Sequence, residues 1–283
     1  AFVKVIKTIQ AMRSDVRAAR AGGKTVGVVP TMGALHAGHV SLIDAARRAC
    51  DYVVVTIFVN PTQFAPTEDL GAYPRTLEAD LGACGDHGAD ATFVPDADEM
   101  YPTDAMTEIH VRTISERLCG RDRPVHFGGV CTVVAKLFNI VPADKAFFGQ
   151  KDFQQTVVVK RMVADLNFPV EIVVCPTVRE ADGLAMSSRN VYLTPAQRRQ
   201  APALYGALQR GRDLIARSHP PAEQVAQAMR RHLAADAPDG QIDYVAIVNP
   251  STLENVESTD GPVAMALAVR LGRARLIDNV VIE

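Results

Sequence analysis

Several short segments of this chain are apolar at almost every position, and that restricts the fold more than any other feature. They are 26–30, 52–59, 91–95, 146–148 and 170–176. A strand with one face in water alternates apolar and polar residues, whereas a strand apolar throughout is covered on both faces. Helical patterns lie between these segments, at 8–20, 39–49, 77–87, 130–140 and 152–167. Strands and helices in alternation build a parallel sheet with helices on both faces. The fold class expected is therefore α/β, with a Rossmann-like sheet. Ligands of such sheets bind beyond the carboxyl ends of the strands, so the loops that follow strands are where chemistry is to be sought.

The last third has a different pattern. Helical stretches at 195–218 and 221–235 precede strands at 242–248, 263–269 and 275–282. The strands are joined by Asn249-Pro250, Asp260-Gly261-Pro262 and Leu271-Gly272, all turn formers. This reads as a smaller α+β C-terminal domain that acts as a lid. A boundary within 179–190 divides the chain into domains 1–182 and 183–283. A length of 283 residues accommodates both.

Composition excludes several classes of function. The net charge is −2, and the basic pairs Arg47-Arg48, Arg198-Arg199 and Arg230-Arg231 fall in helical patterns, so no nucleic-acid partner is expected. The five cysteines (50, 84, 119, 131 and 175) are far apart and form no CxxC pair, which argues against disulfides and a cysteine zinc site. Ala1-Phe2-Val3-Lys4 leads into a charged helical stretch with no signal-peptide core, and no apolar run is long enough to span a bilayer. A reducing, cytoplasmic setting is expected, away from membranes.

Four strand-ending segments carry groups suited to a small polar or anionic ligand. In Pro30-Thr31-Met32-Gly33-Ala34-Leu35-His36-Ala37-Gly38-His39 the histidines are three apart, so their rings face one side of a first helical turn. The glycines permit close backbone approach, and the helix start is expected to offer unpaired N–H groups to phosphate. Phe58-Val59-Asn60-Pro61-Thr62-Gln63-Phe64 supplies neutral amides from Asn60 and Gln63. Phe147-Phe148-Gly149-Gln150-Lys151-Asp152-Phe153-Gln154-Gln155 puts a lysine at a helix start, an unfavourable place for a cation unless an anion is near. Met186-Ser187-Ser188-Arg189-Asn190 offers hydroxyls and a guanidinium, after an Asp182-Gly183 turn expected to be mobile. Gly22-Gly23-Lys24-Thr25 looks like the end of a P-loop but precedes its strand, and is read as a helix stop.

These segments, with Tyr73-Pro74-Arg75-Thr76 and Arg273-Ala274-Arg275-Leu276-Ile277-Asp278-Asn279, resemble the pantoate–β-alanine ligase (pantothenate synthetase) family of the HxGH nucleotidyltransferases. The resemblance runs from the first strand to the end of the chain. It implies condensation of pantoate with β-alanine through pantoyl adenylate, with release of pyrophosphate and then AMP. Implied with it are ATP, Mg2+ and a cytoplasmic homodimer. Residue by residue, it implies that Met32, Gly33, Ala34, Leu35, His36, Ala37, Gly38 and His39 hold ATP, with His39 a proton donor and His36 and Lys151 catalytic beside it. Gly149, Gln150, Lys151 and Asp152 would meet the nucleotide, Val178 would lie beside adenine, and Met186, Ser187, Ser188 and Arg189 would close on the phosphates. Gln63 would contact pantoate and β-alanine, and Gln155 pantoate. Asp80 would lie near magnesium or pantoate. At Gly128-Gly129 relatives often carry a larger polar residue, and no role is assigned there.

Rival readings are an adenylyltransferase that caps a phosphate, a tRNA synthetase, and a non-catalytic ATP sensor. Gln63 and Gln155 favour a neutral hydroxy-acid pocket over a phosphate acceptor. The short chain without a basic stretch disfavours tRNA.

Overall fold

The computed structural model describes residues 3–66 and 68–283. Ala1, Phe2 and Thr67 lie outside the described residues, and with them part of the expected N-terminal stretch and of the 64–70 loop. The chain forms two compact units. The first comprises Ala1–Glu116, Gly120–Gly149 and Val158–Pro176; the second comprises Arg117–Cys119, Gln150–Val157 and Thr177–Glu283.

In chain order the elements are β1 (Lys4–Ile6), α1 (Ile9–Ala21), β2 (Val26–Thr31), α2 (Ala37–Ala49), β3 (Tyr52–Ile57), α3 (Leu77–Asp86), β4 (Ala91–Phe93), α4 (Ala97–Met100), α5 (Cys119–Asp122), α6 (His126–Ile140), β5 (Lys145–Gly149), α7 (Phe153–Asp165) and β6 (Glu171–Cys175). There follow α8 (Pro195–Gln200), α9 (Ala203–Ser218), α10 (Ala222–Asp236), β7 (Gln241–Val248), β8 (Val263–Leu271) and β9 (Ala274–Ile282).

The first unit is built on a six-stranded sheet, ordered β1-β4-β3-β2-β5-β6, whose pairings are all parallel. β3 lies on one side of β2 and β5 on the other, so the winding reverses at β2. Thr31 pairs with Ile57, and Gly149 with Cys175, which brings these strands' carboxyl ends to a common edge beside the reversal. The apolar sequences of β2 and β3 follow from cover on both faces. Leu42, Ile43 and Ala46 of α2 cluster with Val29, Val53, Val55 and Phe147. Met12 and Val16 of α1 are fully buried.

Thr8 caps α1 by accepting from the Ala11 amide at 3.3 Å. At the other end the Gly22 amide donates to Ala18 O at 3.1 Å and Gly23 takes φ +77°, so Gly22-Gly23-Lys24-Thr25 is a helix stop.

The second unit carries the antiparallel sheet β7-β8-β9. Met265, Leu267 and Val269 of β8 join Leu204, Leu208 and Ile215 of α9 and Met229 and Leu233 of α10 in one core. The intervening β8 positions are Ala264, Ala266 and Ala268, also buried. The expected α/β sheet and smaller α+β part are both present.

Two local readings are corrected. The N-terminal stretch begins with a strand, β1, paired to β4 before α1 starts; with only Ile6 buried, it has no apolar run to reveal it. The single helix expected over 195–218 is two, α8 and α9, because Pro202 has no N–H to donate and its ring clashes with the preceding turn.

Candidate active site

The segment after β2 makes its own scaffold. Gly33 and Ala34 both adopt left-handed backbone, φ +81° and +50°. A Cβ on Gly33 would lie 3.0 Å from Asp80 Oδ2 and 3.1 Å from Ile57 Cγ2. The Asp80 carboxylate, on α3 and only 2% exposed, accepts from the amides of Ala34 at 2.9 Å and Leu35 at 2.8 Å and from Thr76 Oγ1 at 3.0 Å. Three donors offset the cost of burying this charge. The oxygens expected near magnesium or pantoate thus also brace this turn.

His36 and His39 cap α2 between them. His36 Nδ1 accepts from the Gly38 amide at 3.1 Å, and His39 Nδ1 accepts from the His36 amide at 3.3 Å, a reciprocal capping box. A neutral imidazole that accepts at Nδ1 carries its proton on Nε2, which assigns both tautomers. The rings face one side, with centroids 4.1 Å apart. The expectation of unpaired amides at this helix start is corrected for Gly38, His39 and Val40. The Gly38 amide is taken by a ring and the His39 and Val40 amides by His36 O, while Ala34 and Leu35 serve Asp80. Both imidazoles also carry Nε2–H donors in this turn.

After β3, Asn60 is 1% exposed and its amide is fully used. Oδ1 accepts from Thr62 Oγ1 at 2.9 Å and Tyr101 Oη at 2.9 Å; Nδ2 donates to Gly129 O at 3.1 Å and Gln63 Oε1 at 3.2 Å. The pairing of Asn60 with an outside molecule is therefore corrected: it serves Gln63. With Gln63 Oε1 engaged, Nε2 points to Met32 Sδ, 2.8 Å away. The Gln63 carbonyl accepts from His126 Nδ1 at 3.0 Å and Arg123 Nη2 at 3.4 Å, and Arg123 also forks onto the Glu68 carboxylate. Burial would raise the Glu68 carboxyl, but Arg123 and the Ala65 amide hold it below its ordinary value.

Gly129 has a steric role in this frame. A Cβ there would stand 2.5 Å from the Thr62 carbonyl carbon and oxygen and 2.6 Å from Gln63 N, so only glycine lets α6 lie against the Gln63 turn.

In the second unit Lys151 sits on a 3-10 turn, Gln150–Asp152, directly before α7. Its Nζ is 3.7 Å from Asp152 Oδ1, and its side chain is one-fifth exposed. Asn279 Nδ2 donates to the carbonyls of Gln150 and Lys151. Gln154 is structural, gripping Cys119 N at 3.0 Å and Arg117 O at 2.6 Å, while the half-buried Gln155 side chain bonds no described residue.

Val178 and Met186 are joined across a small hairpin, with Met186 N donating to Val178 O at 3.0 Å. Ser187 then caps the 3-10 helix Ser188–Tyr192, accepting from Arg189 N at 3.2 Å. The Asp182-Gly183 turn, expected to be mobile, carries side-chain contacts. Arg198 bridges Asp182 and Glu180, each at 2.6 Å, and Arg179 donates to Gly183 O at 3.1 Å. The Arg198 bond holds the Asp182 carboxyl below its usual range. Burial pushes the Asp278 carboxyl upward, opposed by the paired Arg179 guanidinium.

Thus the first unit assembles residues 32–39 with Gln63, and the second assembles Gln150–Asp152 with the hairpin from Val178 to Ser187. The bracing roles of Asp80, Tyr101, Arg123, His126, Gly129 and Asn279 were not visible in sequence. The described residues contain no group of three or more His, Cys, Asp or Glu able to hold a metal. All five cysteines are buried and unbridged. No helix among the described residues is long and apolar enough to cross a membrane.

The family model described as pantoate-beta-alanine ligase matches residues 4–281. The chain belongs to the pantoate–β-alanine ligase family. Among ligases of this family, the pantothenate synthetase of Moorella thermoacetica is 54% identical over 281 residues, covering 99% of both chains. The solved pantothenate synthetase of Thermus thermophilus is 44% identical with a TM-score of 0.93, covering 98% of this chain and 99% of that one. A pantoate-beta-alanine ligase from Francisella tularensis, solved in complex with Beta-gamma ATP and Beta-alanine, is 33% identical with a TM-score of 0.81, covering 98% and 97%.

Proposed function

We propose that this chain condenses (R)-pantoate with β-alanine to pantothenate, through a pantoyl-adenylate intermediate, at the expense of ATP. The observation that carries this reading is the His36–His39 capping box, whose Nδ1 atoms accept from backbone and leave Nε2–H on both rings. Full-length membership of the family supports it, as does the Francisella relative solved with a nucleotide and β-alanine.

In the first step a pantoate carboxylate oxygen attacks the α-phosphorus of ATP and pyrophosphate leaves. Two anions must meet, so donors that follow charge onto the phosphate oxygens lower the barrier. His39 Nε2–H, with His36 beside it, supplies neutral donors. Lys151, Ser187, Ser188 and Arg189 contact the phosphates, and the polypeptide at Met32–Leu35, Ala37, Gly38, Gly149, Gln150, Asp152, Val178 and Met186 shapes the nucleotide site. Gln63 holds pantoate and then β-alanine through Nε2, while Gln155 holds pantoate. In the second step the β-alanine amine attacks the acyl carbon and AMP leaves, which requires proximity and exclusion of water more than a protein nucleophile.

Asp80 accepts from the Ala34 and Leu35 amides and from Thr76 Oγ1, and no group of three or more His, Cys, Asp or Glu able to hold a metal lies among the described residues. Mg2+ enters this reading as a companion of the ATP phosphates, and no step is assigned to it. A cytoplasmic homodimer is part of the same proposal.

Labelled pyrophosphate should exchange into ATP only when pantoate is present, and amide should form only on addition of β-alanine. Exchange without pantoate, or amide formation without AMP release, would overturn the reading.

A further inference from the structure

The string from Arg273 to Asn279 is part of the family pattern, yet nothing above gives it a task in the reaction. Its last two residues occupy an informative position. Asn279 is 4% exposed, and its Nδ2 donates to both Gln150 O at 2.9 Å and Lys151 O at 3.0 Å. Its Oδ1 lies 3.4 Å from Gln150 Nε2, and its own amide donates to Asp278 Oδ1 at 2.8 Å. Asp278 accepts the Arg179 fork, Nη1 at 2.6 Å and Nη2 at 2.9 Å. Arg179 is stacked 3.8 Å from the Tyr205 ring centroid and pairs across the hairpin with Ala185. Adjacent residues of β9 therefore grip two segments, the turn that carries Lys151 and the hairpin that leads into Ser187–Arg189. Lys151, Ser187 and Asp278 line one small recess.

We propose that Asn279, held by Asp278, is a positioning residue for the adenylation step and acts through Lys151. The proposal rests on the reading of Lys151 as a phosphate contact. A side-chain NH2 that grips two successive carbonyls fixes both peptide planes, and so the direction in which Lys151 leaves the backbone. Among neutral side chains, asparagine offers two donors from one nitrogen together with an acceptor for Gln150. Asp278 fixes the β9 end of this brace and, through Arg179, ties the hairpin to the same strand.

The test is a thermodynamic cycle on the full chain, with Asn279→Ala, Lys151→Ala and both together. Displacing a phosphate-binding group by about 1 Å is expected to slow pantoate-dependent pyrophosphate exchange about 10- to 100-fold in Asn279→Ala. Conversion of preformed pantoyl adenylate and β-alanine to amide should stay within about twofold, because Lys151 acts before that step. In the Lys151→Ala background the second substitution should cost less than about threefold. Equal losses in both half-reactions, or the same loss with and without Lys151, overturn the proposal and mark Asn279 as merely structural. If Lys151→Ala alone leaves exchange unchanged, the reading of Lys151 fails first; if Lys151→Ala is impaired and Asn279→Ala is not, only this inference fails. Should Asn279→Ala not melt cooperatively, Asn279→Ser, which keeps one donor, replaces it in the cycle. A smaller loss confined to exchange supports the proposal, and a loss shared by both half-reactions refutes it.

Discussion

The two phosphate-contacting turns proposed here are braced in opposite senses. In the first unit a buried carboxylate, Asp80, accepts from two successive backbone amides, those of Ala34 and Leu35. In the second a buried amide, Asn279, donates to two successive backbone carbonyls, those of Gln150 and Lys151. The first brace occupies two N–H groups, and in the proposed reading the imidazoles supply donors to the anion. The second occupies C=O groups, whose lone pairs would repel a phosphate, and the contact proposed there is an ammonium. What a turn offers a ligand is therefore set by which backbone groups its brace consumes, a property that the loop sequence alone does not show.

The strongest way to break this contrast is His39→Ala. If the first turn recognises phosphate through its rings, pyrophosphate exchange should fall by about 10²- to 10⁴-fold while ATP is still bound, as read by calorimetry. Turnover at the wild-type rate would end the role given to His39. Next comes Asp80→Asn, which presents an NH2 where a backbone N–H now points. The expected result is a roughly 10- to 100-fold loss in exchange together with about 1–3 kcal/mol of stability, measured by denaturant melts. Stability lost with full activity retained would show that the rings do not depend on the Asp80 brace.

A smaller effect is expected for Gly129→Ala, whose new methyl would stand 2.5 Å from the Thr62 carbonyl carbon. Stability should drop by about 1–3 kcal/mol and the KM for pantoate rise roughly fivefold, with the KM for ATP unchanged. An altered KM for ATP alone would dissociate Gly129 from Gln63. The smallest concerns acid. Glu68 has its folded-state carboxyl held below the ordinary value of 4.5, so its contribution is present above that pH and fades as pH falls through the folded value. Wild type and Glu68→Gln should differ in melting temperature at neutral pH and converge in acid; a gap that widened below pH 4.5 would contradict the Arg123 clamp.

Much of the fold could be read from the chain, because β2 and β3 are buried on both faces and are apolar apart from Thr31 and Thr56. β1 could not, since an edge strand of three residues leaves no periodicity. Pro202 was visible, but an apolar helical rhythm ran straight across it. The histidine turn stood out through its spacing. Asp80 and Asn279 did not, because their effect lies wholly in partners that are distant in sequence: Asn279 reaches a carbonyl 128 positions away. Gly129 drew notice only as a departure from the pattern, and its cause is a close backbone approach that no one-dimensional signal records.

One consequence of the histidine capping box bears on any titration of this protein. The rings proposed to donate protons also button the first turn of α2, and an imidazolium cannot accept at Nδ1. Acidification therefore loosens the local architecture as it alters the proton inventory, and replacing either ring removes a fastener along with a reagent. A bell-shaped rate profile here would combine both effects, and local hydrogen exchange at Gly38 and His36 would separate them.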